Sequence, residues 1–228
     1  MLVGLYPLWR PIIRLGKEKM ATVRLEMSTF LHVIEVAGIV AFAISGFIDA
    51  RRKKMDVVGV FTVAFITAFG GGTLRDLLLD RRPLFWVEHQ EYPILIFVMA
   101  LILIPFLRHL RHAVAEKAII YADALGLGLF SVTGASLAAE AEMPMFVCVM
   151  MGVITGIFGG VLRDVICNEI PMVFRRGELY ATCSFAGCWT YLLLVNVHMA
   201  QSVSLILGIA VTFLLRALAV RFHLTLPG

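Results

Sequence analysis

The sequence predicts an all-α integral membrane protein with seven transmembrane helices, arranged as two inverted three-helix repeats plus one C-terminal helix. The composition, the lengths of the apolar segments and an internal repeat each support this fold. Of 228 residues, 60% are apolar and 16% are charged, whereas soluble domains are about 45–50% apolar and about 25% charged. This composition excludes a soluble globular protein, a disordered chain and a nucleic-acid-binding domain, and it indicates the lipid bilayer as a partner.

Seven apolar segments of helical length follow a basic N-terminal stretch. A transmembrane helix needs about 20 apolar residues, whereas the strands of a β-barrel would alternate over about 10 residues. The gaps between the segments are short and polar, so we expect no second soluble domain. The predicted segments are 30–49, 56–79, 92–107, 118–138, 144–167, 178–197 and 202–222.

Lysine and arginine are concentrated in the loops on one side of the predicted bundle. The positive-inside rule therefore places the C-terminus in the cytoplasm and the N-terminus outside the cell inner membrane. The basic extension 1–28 opposes this orientation, because its five cationic residues would lie outside. Translation that begins at Met27 would resolve the conflict, and a mass measurement that finds residues 1–26 on the natural protein would contradict it.

The sequence repeats itself with an offset of 88 residues. The block Gly-Gly-Thr-Leu-Arg-Asp at 71–76 matches Gly-Gly-Val-Leu-Arg-Asp at 159–164, and Pro83 matches Pro171. Because each repeat carries three spans, the second copy enters the membrane from the opposite side, as in many transporters. The predicted units are an extension at 1–28, repeats at 29–112 and 113–200, and a seventh helix with its tail at 201–228.

Glycine clusters lie at matching positions inside the second and fifth spans. Glycine costs about 1 kcal/mol relative to alanine in a helix interior, and adjacent glycines permit a break or a kink that exposes backbone groups to a cavity. This interpretation predicts two broken helices beside a pore. The alternative is close helix packing, which small residues also favour. The glycines are Gly70, Gly71, Gly72, Gly159 and Gly160.

Ionisable residues follow each glycine cluster. Arg75-Asp76 and Arg163-Asp164 begin three residues after the last glycine. Charges inside a span are costly and usually face a cavity or a partner, so these pairs are candidates for gate charges. The alternative is that each arginine extends to the membrane surface from the end of its span.

Acidic and hydroxyl residues add a polar stripe to the first and fourth spans. Residues three and four positions apart share a helix face, and a stripe of this kind suits a hydrated cation path. The alternatives are acids at the water interface and threonines that bond to their own helix carbonyls. The candidate pore residues are Glu35, Ser45, Thr67, Asp123, Thr133 and Thr155.

Motifs for catalysis and for cofactor or metal binding are not found. The chain has no H-E-x-x-H motif, no nucleotide fingerprint and no Ser-His-Asp order, and its six histidines do not follow a metal spacing. We therefore expect a protein that is not an enzyme and has no cofactor or bound metal, with potassium or sodium only as a permeant ion.

The duplicated G-G-x-L-R-D blocks, each followed seven residues later by proline, resemble the bacterial members of the TRIC (trimeric intracellular cation) channel family. Related bacterial sequences are grouped as glycine-transporter domain proteins with two copies per chain. The resemblance covers about residues 30–222. It implies a homotrimer with a separate pore in each subunit, between kinked second and fifth helices. It also implies that the glycines form the kinks and that the Arg-Asp pairs lie near the gate.

The expected function is a passive, potassium-permeable channel for monovalent cations, with its pore at the repeat interface of each subunit. The alternative is a secondary transporter of a small amino acid such as glycine, which inverted repeats support equally. A membrane scaffold is a third interpretation, but it explains the duplicated Arg-Asp pairs poorly. The resemblance, rather than the residue pattern, favours the channel over the transporter.

Overall fold

The computed structural model describes the backbone of residues 6–107, 112–175, 179–222 and 224, and the side chains of residues 29–103, 114, 116–175, 179–222 and 224. The described chain is a bundle of helices joined by short turns. Its helices are α1 (Tyr6–Arg52), α2 (Val57–Leu78), the one-turn α3 (Phe85–Glu88), α4 (Glu91–Leu107), α5 (His112–Glu140), α6 (Met145–Ile166), α7 (Tyr180–Asn196) and α8 (Gln201–Phe222), with a 3₁₀ turn at Met172–Phe174.

The seven predicted apolar segments correspond to the seven long helices. Five of them are long and apolar enough to cross a membrane: α2, α6 and α8, with 29–52 of α1 and 116–140 of α5. The other two, α4 and α7, have 17 residues each, slightly fewer than the usual span. The all-helical membrane fold is confirmed, whereas membrane crossing by α4 and α7 stays a prediction.

The predicted boundary after residue 28 falls inside α1, which begins at Tyr6. The basic residues of the extension lie outside the described side chains, and the proposed start at Met27 stays a prediction.

The repeat is visible in the backbone at the ends of its helices. Lys54 and Glu142, which are equivalent, have φ of 59° and 56°, and the equivalent Asp80 and Asn168 have φ of 51° and 55°. Next to each of these residues a backbone N–H returns to a carbonyl five residues earlier, as from Met55 to Ala50. This left-handed cap satisfies carbonyls that a helix end leaves free. The two repeats therefore end their helices in the same way.

Each repeat has its own apolar core. One core is built mainly from α1, α2 and α4, and the other from α5, α6, α7 and α8. The halves meet where α1 packs on α5 and α2 packs on α6. The seam between the repeats is therefore lined by four helices that carry every predicted site residue.

Candidate functional site

The first cluster of buried charges consists of Glu35, Arg75 and Asp76. The Arg75 guanidinium donates to Glu35 Oε1 at 2.6 Å and to Asp76 Oδ1 at 2.8–2.9 Å. Asp76 Oδ2 also accepts the backbone N–H of Phe85 at 3.2 Å, which ties α3 to the end of α2. Two carboxylates therefore satisfy one buried cation, and Glu35 remains 12% exposed.

The second cluster repeats this arrangement with Asp123, Arg163 and Asp164, and it adds Asp49 from α1. Arg163 is fully buried and donates to Asp123 at 2.6 Å and to Asp164 at 2.8–2.9 Å. Its Nε lies 3.8 Å from Asp49 Oδ2, and Nη1 donates to Ser45 Oγ at 2.8 Å. Three carboxylates therefore surround one guanidinium group.

Helix α1 connects the two clusters. Glu35 joins the first cluster, and Asp49, fourteen residues later, joins the second. That separation is about 21 Å along an α-helix, so the clusters lie at opposite ends of the bundle. The predicted polar stripe on α1 therefore supplies one carboxylate to each cluster: Glu35 pairs with Arg75, and Asp49 lies next to Arg163.

The arginines do not extend to the membrane surface, so that alternative is wrong. Arg75 and Arg163 are both buried, and each pairs with the aspartate that follows it in the sequence. Asp123 is also buried, and it does not lie at the water interface. The costly placement of these charges is balanced by ion pairs and hydrogen bonds inside the protein.

The prediction of a break is wrong, because α2 and α6 run without interruption through their glycines, whereas the kink that the family resemblance implies stays a prediction. Instead the glycines bring two helix backbones together. A Cβ on Gly71 would lie 2.0 Å from the carbonyl oxygen of Thr155, and a Cβ on Gly159 would lie 2.3 Å from that of Thr67. The packing interpretation explains these two equivalent positions, since only glycine allows such a close approach.

The last glycine of each cluster, Gly72 or its equivalent Gly160, has different surroundings in the two repeats. A Cβ on Gly72 would meet nothing closer than an Arg75 nitrogen at 3.9 Å. A Cβ on the equivalent Gly160 would lie 2.9 Å from the Tyr180 hydroxyl and 3.3 Å from Asp123 Oδ1. Gly70 instead packs against Leu162 of α6. Space that is open in the first repeat is therefore occupied by Tyr180 in the second.

Two stacked phenylalanines separate the clusters at the centre of the bundle. The rings of Phe42 and Phe130, which are equivalent in the repeat, lie 5.4 Å apart and 12° from parallel. Gly126 and Gly38 make room for them, because a Cβ there would lie 2.5 Å and 3.0 Å from the rings. The face predicted as a hydrated path is therefore apolar at its middle.

The predicted threonine hydroxyls bond to their own helices. Thr67 and Thr155 each donate to the carbonyl four residues earlier at 2.6 Å, and Thr133 donates to Leu129 at 2.8 Å. This outcome matches the alternative interpretation of these residues. Of the candidate hydroxyls, Ser45 contacts a charged cluster, since it accepts from Arg163.

The two clusters border spaces of very different size. A cavity of about 10 Å³ lies between Glu35, Gly72, Arg75 and Phe130, and Phe85 and Trp86 cover it. A vestibule of about 340 Å³ borders Asp49 and Asp164 at the other end. The smaller cavity has room for about one water molecule, whereas the larger one admits many.

Ion pairs cross the rim of the vestibule. Lys53 donates to Glu169, and Arg52 donates to Glu116 at 3.2 Å. The hydrogen bond raises the pKa of Lys53 above its usual value and lowers the pKa of Glu169 below its usual value. Both residues of this pair are therefore charged at neutral pH. The rim links the end of α1 to the loop after α6.

Three residues at or next to the second cluster, Asp49, Tyr180 and Arg216, are missing from the sequence-based candidate list. Asp49 lies on the predicted face of α1 but has a leucine as its repeat equivalent. Tyr180 is buried beside Asp123. Its equivalent Tyr92 pairs with His32, whose Nε2 lies 2.6 Å from the Tyr92 hydroxyl. Arg216 lies outside the repeat. The sequence does show an arginine inside the apolar segment 202–222, and a charge in a membrane span usually has a partner.

Metal binding has no support in the part of the chain that the structure describes. No group of three His, Cys, Asp or Glu side chains there is arranged to hold a metal ion.

Comparison with known proteins starts with a family model described as "Glycine transporter". It matches residues 32–108 and again residues 120–196. The two matches are displaced by 88 residues, the same offset as the internal repeat. The UPF0126 inner membrane protein YadS of Escherichia coli is 37% identical over 198 residues, which are 86% of this chain and 95% of YadS.

Solved structures give the same result. The TRIC trimeric intracellular cation channel orthologue from Rhodobacter sphaeroides superposes with a TM-score of 0.81 at 34% identity, covering 86% of this chain and 100% of that chain. A second structure, solved in work on conductance through TRIC cation channels, has a TM-score of 0.75 at 37% identity and covers 86% of this chain and 96% of that chain. The chain is therefore similar, in both sequence and fold, to solved structures of TRIC cation channels.

Proposed function

Because this chain belongs to the family of the "Glycine transporter" model, with UPF0126 membrane proteins and TRIC channels as relatives, we propose that it is a passive channel for monovalent cations. The observation that carries the proposal is the pair of buried acid-rich clusters at opposite ends of one helical seam. Potassium or sodium is the permeant ion, and the pore lies inside each subunit at the repeat interface.

The charges of the clusters favour cations at both ends of the path. In the first cluster two carboxylates face one guanidinium group, and in the second three carboxylates face one. An excess of negative charge next to a narrow path raises the local concentration of cations and repels anions. Arg75 and Arg163 act as gate charges that leave or join these carboxylates.

The proposed path joins the first cluster to the second past the stacked phenylalanines. It leads from the first cluster through the cavity at Gly72 to the Phe42–Phe130 stack, and then past Gly160 to the vestibule. Apolar rings in contact exclude water and therefore ions. The described conformation is accordingly the closed one, and opening requires the two rings to separate.

Assembly and placement follow the relatives. We propose a homotrimer in the cell inner membrane, with the C-terminus cytoplasmic and the N-terminus outside. The Rhodobacter sphaeroides relative is named trimeric, and the Escherichia coli relative is named an inner membrane protein. Native mass spectrometry tests the trimer, and reporter fusions at each terminus test the orientation.

Single-channel recording of purified protein in planar bilayers under a potassium gradient tests the proposal. We expect discrete unitary currents that reverse near the potassium equilibrium potential. Phe130→Ala removes half of the ring stack and should raise the open probability. Phe146→Ala is the matched control, because Phe146 is an exposed phenylalanine on α6.

The gate charges have their own test in the same recordings. We expect Arg163→Ala and Asp164→Ala to change the conductance or the open probability, since both residues belong to the second cluster. Unchanged currents in both variants would refute their gating role.

A transporter of a small amino acid is the second candidate, favoured by the description of the matching family model. In that case the acids would bind an ammonium group or a coupling proton. Silent bilayers together with glycine accumulation in liposomes from the same preparation would replace the channel with the transporter. Glu35 and Asp123 would then be the first residues to substitute.

A further inference from the structure

Helix α8, which lies outside the repeat, carries a buried cation next to the second cluster. Arg216 is 2% exposed. Its guanidinium carbon lies 5.1 Å from the ring centroid of Tyr180, and Nη2 lies 3.8 Å from the Met172 sulfur. A buried arginine in a membrane helix is costly and is usually retained for function.

The position of Arg216 is set by the close crossing of α7 and α8. A Cβ on Gly187 would lie 1.8 Å from Thr212 Oγ1 and 2.7 Å from the carbonyl oxygen of Gly208. Thr212 precedes Arg216 by four residues and therefore shares its helix face. This close contact fixes the position of α8 along α7, and it therefore fixes where the Arg216 guanidinium group meets α7.

Two residues that Arg216 contacts, Tyr180 and Met172, lie against carboxylates of the second cluster. Met172 donates its backbone N–H to Asp164 Oδ2 at 2.9 Å, and its sulfur lies 4.0 Å from Arg163 Nη2. The Tyr180 hydroxyl packs at Gly160 beside Asp123 Oδ1. Tyr180 and Met172 thus connect Arg216 to the two aspartates that hold Arg163.

We propose that Arg216 is a positioning residue for the second cluster, which it holds in place through the face of the Tyr180 ring and through Met172. The inference rests on the proposed channel function, and it adds a control element that the first cluster does not share. Without Arg216, Tyr180 and Met172 lose a packing contact. They then hold the aspartates less firmly, and Arg163 is released from these aspartates more easily. The open probability rises, whereas the unitary conductance stays the same because Arg216 acts through other residues.

Recordings from the full-length protein test this role with Arg216→Met, Arg216→Lys and Tyr180→Leu. Arg216→Met should raise the open probability about three- to thirtyfold, the range that cation–π contacts supply from exposed to desolvated sites. Tyr180→Leu should raise it as well, and the double variant should add less than the product of the two, because both remove the same contact. Arg216→Lys keeps a cation over the ring and should stay near the wild-type value. Leu214→Ala, an exposed position on α8, is the control.

The outcomes separate this inference from the proposed function. Silent wild-type protein overturns the channel and the inference with it. Conducting wild-type protein with an unchanged open probability in Arg216→Met overturns the inference alone. Fully multiplicative effects of Arg216→Met and Tyr180→Leu, or an Arg216→Lys variant as altered as Arg216→Met, also overturn it. If Arg216→Met does not fold, Arg216→Lys and Tyr180→Leu decide, and no change in Tyr180→Leu counts against the proposal.

Discussion

The first and second clusters have the same core chemistry in different surroundings. Each places one arginine between the aspartate that follows it and an acid forty residues earlier. The first cluster is capped by Phe85 and Trp86 over a cavity of about 10 Å³. The second gains Asp49 from α1 and borders a charged vestibule of about 340 Å³.

This difference teaches that the duplication preserves the ion pair but not the residues that surround it. Tyr92 and Tyr180 are equivalent, yet the first pairs with His32 and the second lies under Arg216. The equivalent tyrosines therefore have different partners at the two ends of the seam.

Removal of each arginine should give the largest difference between the clusters. Arg163→Gln leaves Asp123 and Asp164 buried without their cation, and breaking a buried pair costs about 3–5 kcal/mol. Arg75→Gln should cost less, because Glu35 is 12% exposed and can turn toward water. The apparent Tm of purified protein measures both losses. An equal or larger loss in Arg75→Gln would break the comparison.

Substitution of the equivalent glycines Gly71 and Gly159 should instead destabilise the protein to a similar extent. A Cβ at Gly71 or at Gly159 would lie 2.0 Å or 2.3 Å from a backbone carbonyl oxygen, so the helices must separate. Overpacking of this kind costs about 1–3 kcal/mol or more. We expect similar losses of apparent Tm in Gly71→Ala and Gly159→Ala. A large difference between them would mean that the crossing is not shared by the repeats.

Alanine substitutions of the equivalent glycines Gly72 and Gly160 should change the stability by different, smaller amounts. Gly160→Ala forces the Tyr180 hydroxyl to move, whereas Gly72→Ala enters open space. We expect Gly160→Ala to cost about 1 kcal/mol and Gly72→Ala to gain up to about 1 kcal/mol from helix propensity. The apparent Tm reports both changes. Tyr180→Phe should rescue Gly160→Ala, and failure to rescue it would mean that the hydroxyl does not cause the cost.

The rim of the vestibule should give the smallest effect. Lys53→Gln removes one positive charge from the rim and leaves Glu169 with Arg175, 3.7 Å away, as a remaining partner. It should raise the unitary cation conductance in low salt, without a measurable change in Tm. The difference should vanish near 1 M salt, where charges are screened within about 3 Å. Glu169→Gln should act in the opposite direction. A conductance change that persists in 1 M salt would rule out an electrostatic origin.

The pH dependence of this rim pair follows from its two pKa shifts. Pairing lowers the pKa of Glu169, so the interaction is present above the usual glutamate range and is lost as the pH falls through the lowered value. Pairing raises the pKa of Lys53, so the interaction is lost at the basic end as the pH rises through the raised value. Neutral solutions therefore keep the pair intact.

Much of the site could be predicted from residue types and their spacing. The equivalent acids, arginines and glycines were all identified from the repeat, and Glu35 and Asp123 do contact Arg75 and Arg163. The break in the helices was not found, because adjacent glycines favour both a break and close packing, and their spacing alone does not distinguish the two. In lipid a broken helix leaves backbone groups without partners, so α2 and α6 remain continuous and their glycines serve close packing.

The sequence by itself determined the helices, the internal repeat and the charged residues inside them, because apolar length, duplication and spacing are local properties of the chain. The tertiary structure alone decided that Asp49, Tyr180 and Arg216 join the second cluster and that Phe42 stacks on Phe130. Periodicity shows which residues share a helix face. It does not show which other helix that face meets, since this depends on how all the helices pack together.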